Sequence, residues 1–154
     1  MKRPQPSCKA KAIDFLSRSD QSIKKLTEKL KRKAYTSEEI EDTINWLKEK
    51  HYLNEEEGCR RKFNYLYQES SASVKQICLK LQQQGYDRYM IQDCVPEDTY
   101  RRELQVASKL MHSKYKIGTD YKKMMQGLYL KGFGYDVANA AIEAYMAQWE
   151  ELEE

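Results

Sequence analysis

Little in this chain would bend or break a helix. Six of its 154 residues are glycine and three are proline. That scarcity excludes collagen-like and low-complexity architectures and leaves few turn residues for a sandwich or barrel. No apolar run approaches the ~20 residues that span a bilayer. Residues 1–6 include Lys2 and Arg3 but have no apolar stretch behind them, so no secretory signal is expected. The two histidines, His51 and His112, lie far apart, and Cys8, Cys59, Cys78 and Cys94 form no CxxC pair. This argues against a metal centre and for reduced thiols in the cytoplasm. Also missing are GxSxG, a Walker phosphate loop and HExxH. Acid pairs such as Glu38-Glu39 and Glu41-Asp42 fall on first helical turns, where they complement the helix dipole. No enzymatic activity, cofactor or metal is expected.

What the chain does have is a repeat. Ile23, Leu26, Leu30, Ala34-Tyr35, Ile40 and Ile44 form an apolar grid at helical spacing. Shifted by 51 residues, it returns as Val74, Ile77, Leu81, Gly85-Tyr86, Ile91 and Val95. Shifted by 47 more, it returns as Tyr121, Met124, Leu128, Gly132-Phe133, Ala138 and Ile142. Such a period points to a tandem helical array whose units bury their apolar faces against neighbours. The expected fold is all-α, an elongated, curved array of three tandem three-helix repeats with about nine helices. The expected boundaries are a flexible N-terminal arm at 1–7, repeats at 8–53, 54–96 and 97–150, and an acidic tail at 151–154.

Several local signals set the element ends. Ser19-Asp20 offers an N-cap for the second helix, expected over 21–33, and Thr36-Ser37 caps the third. Pro96 opens the seventh helix, and the ninth runs from about Tyr135 to Trp149. Gly85 and Gly132 occupy equivalent helix-end positions, where glycine removes the cost of a left-handed backbone. Ala34 takes that place in the first repeat, so its turn is expected to be strained or built differently.

Net charge is only +3, but it is unevenly spread. Residues 1–33 hold eleven Lys/Arg against three Asp/Glu, a balance of +8, while residues 143–154 hold five acids and no base. On the second helix, Lys25, Lys29 and Arg32 point away from the Ile23/Leu26/Leu30 stripe, with Lys24 and Lys31 on one flank and Lys33 on the other. Arg60 and Arg61, followed by Lys62, form a smaller cluster on the fourth helix, and Arg101-Arg102 a thinner one on the seventh. A face of this kind suits nucleic-acid phosphates or an acidic protein surface.

The order and spacing of these features resemble one family. The three-helix units, the turn Tyr52-Leu53-Asn54-Glu55, and the helix ends Gln84-Gly85-Tyr86 and Lys131-Gly132-Phe133 are similar to those of the RecX family. So are Leu26-x3-Leu30 and the closing Gly132-Phe133-Gly134-Tyr135-Asp136-Val137, and the likeness runs from about Cys8 to Trp149. The resemblance implies a non-enzymatic cytoplasmic regulator of homologous recombination and DNA repair. It would bind the RecA recombinase filament on single-stranded DNA and damp strand exchange, ATPase activity and the co-protease role in the SOS response. DNA, single- or double-stranded, is a further implied ligand. The alternative is a helical protein that binds nucleic acid without RecA. A monomer is expected, because the charged surface offers no self-complementary apolar patch.

Overall fold

The computed structural model describes residues 4–153, so the expectations for residues 1–3 and for Glu154 lie outside the described residues. Among the described residues there are nine α-helices and no strand. In order they are α1 (Cys8–Arg18), α2 (Ile23–Arg32), α3 (Ser37–Glu49), α4 (Glu55–Glu69), α5 (Val74–Gln83), α6 (Arg88–Cys94), α7 (Tyr100–Lys114), α8 (Tyr121–Leu130) and α9 (Tyr135–Glu153).

Caps explain most starts. Ser7 accepts the N–H of Ala10 at the head of α1, and Thr36 with Glu39 builds a reciprocal capping box on α3. Two expected starts are corrected. The cap of α2 is Ser22, which accepts the N–H of Lys25, whereas Asp20 is turned aside into an ion pair with Arg61. The seventh helix begins at Tyr100, because residues 96–99 are spent on a turn in which Asp98 accepts the N–H of Tyr100. At the other end, α9 runs past Trp149 to Glu153.

The chain divides into two compact units. One contains residues up to Asn64 together with Lys80–Cys94, and the other contains Tyr65–Leu79 and the chain from Val95 onward. The apolar grid is the core of both. In the first unit, Ala12, Leu26, Leu30, Ile40, Ile44 and Leu47 pack between α1, α2 and α3. In the second, Ala107, Met111, Met124, Leu128, Ala138 and Ile142 do the same between α7, α8 and α9. Each fully buried leucine or methionine contributes roughly 2 kcal/mol of transfer free energy.

A joint with the same chemistry occurs once in each unit. In the first, the Ser22 hydroxyl donates to the Gln84 carbonyl at 2.6 Å, and a Glu55 carboxylate oxygen accepts the Ile23 N–H at 2.8 Å. In the second, the Ser73 hydroxyl donates to the Lys131 carbonyl at 2.6 Å, and the Glu103 carboxylate accepts the Val74 N–H at 3.2 Å. Each joint therefore ties the N-terminus of a middle helix to the turn that ends the next repeat's middle helix. The turn residue after the bonded carbonyl is Gly85 (φ +94°) or Gly132 (φ +93°). A Cβ on either would stand 2.6 Å from the serine Oγ and 3.1 Å from the Cβ of Lys24 or Lys75. Ala34 holds the equivalent turn at φ +68° and is exposed, so its methyl group meets no neighbouring repeat.

Arg102 belongs to the framework rather than to a basic face. It donates to the carbonyls of Tyr67 and Ala72 at 3.0 and 2.6 Å and pairs with Glu103 at 2.6 Å. Bonds to the Leu66 and Ser70 carbonyls complete its set. It thereby satisfies carbonyls left open at the C-terminus of α4.

Candidate functional site

The cations of α2 do not share one face. Lys25 and Lys29, one turn apart, are half-buried and open into a cleft of about 440 Å³. Lys62 from α4 and Lys80 from α5 complete its basic lining, with Asp20, Gln21 and Gln84 between them. Lys29 donates to the Gln21 side chain at 3.0 Å, and its ammonium lies 5.5 Å from the centre of the Phe15 ring. Lys62 donates to the Gln84 side chain at 3.3 Å. Lys25 pairs with Glu28 at 3.3 Å, a partly exposed contact of little strength.

Asp20 is the acid of this lining, and it is already committed. Arg61 binds both of its oxygens, at 2.8 and 3.0 Å, and that bonding holds the Asp20 carboxyl below the usual carboxylate range. A Cβ on Gly58 would stand 3.4 Å from the Asp20 side chain, an ordinary van der Waals contact. Burial pushes the pKa of Lys62 down, and the nearby charges of Lys29 and Lys80 push it further, against the pull of Asp20. Ammonium groups gathered around a cleft whose acid is neutralised elsewhere repel one another until an anion enters.

The other expected cations lie elsewhere. Lys24 is exposed, with its stem against Gly85, and Lys31 lines a separate 280 Å³ groove with Ile23, Ile40 and Ile44. Arg32 and Lys33 are exposed at the end of α2. Arg60 donates to the Asp93 carbonyl at 3.4 Å, and Arg61 is held by Asp20. Of the eight residues expected from the sequence, the cleft takes Lys25 and Lys29. It adds Lys62, the third member of the Arg60-Arg61-Lys62 run, and Lys80. The signal for Lys80 was the repeat itself, since it follows Lys29 by the same 51 residues that relate Ile23 to Val74.

Two buried groups in the same unit set its behaviour in alkali. Burial raises the Cys59 thiol from its ordinary 9.0 to about 12, and the neighbouring Cys94, 4.0 Å away between sulfurs, adds to the shift. Burial also raises the Tyr86 phenol. Both groups therefore hold their protons more tightly folded than unfolded. Their stabilising contribution is complete below the unfolded values and is lost as pH climbs toward the folded ones. A urea-denaturation series should show stability falling from about pH 9 upward, and Cys59→Ala should flatten the first part of that decline. The Tyr86 hydroxyl is buried without a partner, and phenylalanine stands at the equivalent Phe133. Tyr86→Phe is expected to raise stability by about 1 kcal/mol, measured by the same denaturation.

No group of three metal-ligating side chains occurs among the described residues. Among the same residues, no helix is long and apolar enough to cross a membrane. Nine helices in recurring three-helix sets, with a lysine-lined cleft among them, define an all-helical repeat protein. The chain belongs to the RecX family. The family model described as "RecX, first three-helix domain" matches residues 8–47. Regulatory protein RecX of Neisseria meningitidis serogroup C is 30% identical over 158 residues, covering 97% of this chain and 98% of that protein. Regulatory protein RecX of Clostridioides difficile is 30% identical over 135 residues, covering 84% of this chain and 63% of that protein. The chain thus spans about two thirds of the length of some relatives, 66% for the Finegoldia magna protein. The crystal structure of RecX from Lactobacillus salivarius has the same fold, with a TM-score of 0.73, 22% identity, and coverage of 90% of this chain and 94% of that one.

Proposed function

We propose that this protein is a non-enzymatic cytoplasmic regulator that binds the RecA recombinase filament on single-stranded DNA and restrains it. The regulated outputs would be strand exchange, filament ATPase and the SOS co-protease role. The observation that carries this reading is the cleft formed by Lys25, Lys29, Lys62 and Lys80 in a chain whose relatives are named regulatory proteins. The cleft supplies positive charge from three helices, and such a surface both attracts a nucleoprotein filament and fixes its register. Lys24, Lys31, Arg32, Lys33, Arg60 and Arg61 act around it as a weaker outer field. Contacts to several protomers would add up, so each repeat can bind weakly while the whole binds well.

The test is RecA ATP hydrolysis on single-stranded DNA with this protein titrated from substoichiometric to equimolar amounts. A fall in rate below one protein per recombinase supports filament-directed regulation. An unchanged rate together with salt-sensitive binding to naked DNA replaces it with RecA-independent nucleic-acid binding.

A further inference from the structure

The two inner joints define what one repeat needs in order to dock on the next. The upstream helix must offer a hydroxyl donor at its N-terminus, and the downstream turn must offer a free carbonyl followed by a glycine. Ser22 with Gln84-Gly85 and Ser73 with Lys131-Gly132 meet these terms with the same distances. The two outer positions of the same pattern fail them. In the first repeat the matching carbonyl is that of Lys33, and it already accepts a hydrogen bond from the Gln5 side chain. Tyr35 fastens this arm by donating to the Pro6 carbonyl, and the next turn residue is Ala34, whose methyl group occupies the space a docking helix would need. In the third repeat the N-terminal position of α8 is Asp120. A carboxylate accepts hydrogen bonds and cannot donate one to a carbonyl.

We propose that these outer faces are complementary half-joints, closed by Gln5, Ala34 and Asp120, and that the partner they exclude is a second copy of this chain stacked head to tail. The α8 end of one copy and the Lys33–Ala34 turn of another would otherwise meet as the inner repeats do. Such a contact is heterologous and need not close on itself, so an open pair of faces would propagate into filaments. Here the closure consists of a side-chain plug, one methyl group and one missing proton donor. This inference does not depend on the recombinase reading.

Two half-open variants test it. Asp120→Ser opens one face, and Gln5→Ala with Ala34→Gly opens the other. Sedimentation velocity should find the native chain and each variant alone as a single 18.3 kDa species at every concentration. Mixed in equal amounts, the variants should form a pair whose share rises with concentration. A mixture that stays monomeric while both variants keep native helicity overturns the proposal, as does self-association of the native chain. Ser73→Asp is an independent arm. Aspartate can still accept the Gln76 N–H that Ser73 accepts, so the start of α5 stays capped, but it cannot donate to the Lys131 carbonyl. Hydrogen exchange should show the Gly132 and Phe133 amides losing protection, whereas unchanged protection would overturn the role given to Asp120.

Discussion

Replacing Lys29 and Lys62 together by glutamate is expected to weaken inhibition of RecA ATPase on single-stranded DNA by at least about tenfold, or ~1.4 kcal/mol of binding free energy. The expectation rests on where these ammonium groups sit. Both are half-buried, and both donate to neutral glutamine side chains. Reversal puts two carboxylates beside Asp20, which Arg61 can neutralise only once, so an incoming anion meets repulsion where it met attraction. Lys24→Glu with Lys31→Glu is the control. It changes the same total charge, on α2 alone, but at exposed positions outside the cleft. Mobile ions screen exposed charges, and the control should cost no more than about threefold. Circular dichroism should find both variants as helical as the native protein. Equal losses in the two would assign binding to overall charge and remove the cleft from the mechanism.

Gly85→Ala and Gly132→Ala should each destabilise the fold by about 3 kcal/mol in urea denaturation. Part of the cost comes from the backbone, because φ near +94° and +93° disfavours any L side chain. The rest comes from collision. A methyl group 2.6 Å from the serine oxygen must push Ser22 or Ser73 off its carbonyl, and that leaves a part-buried acceptor without its donor. The loss should be larger than for Ser22→Ala or Ser73→Ala, which remove the bond without adding volume. Ala34→Gly is the counter-test. It relieves a left-handed alanine that no neighbour confines, so it should raise stability by about 1 kcal/mol.

Much of this protein could be read from sequence because its information is local and periodic. The spacing of Leu26, Leu30, Ile40 and Ile44 placed two helices of the first repeat, and the returning grid placed their counterparts in the other two. Gly85 and Gly132 marked the same turn twice. The misread ends have local causes too. Asp20 and Ser22 are both good capping residues two positions apart, and only the position of Arg61 decides that Asp20 is drawn away. Pro96 is compatible with a first helical turn, yet Asp98 closes a turn that delays the helix to Tyr100.

By itself, the sequence determined an all-helical repeat protein, because helical period and motif spacing are properties of neighbours along the chain. The tertiary structure alone decided which cations lie together. Lys25 and Lys29 meet Lys62 and Lys80 across three helices, while Arg61 and Arg102, cations in the same charged runs, are taken up by Asp20 and by the carbonyls ending α4. Tertiary structure also decided why a glycine is required at two turns and not at the third. A turn residue can carry a side chain unless another helix presses on it, and no one-dimensional pattern contains that contact. The physical reason is common to both. Periodicity fixes which face of a helix is apolar, but charge pairing and steric exclusion depend on distances between residues remote in sequence, and those exist only once the chain has folded.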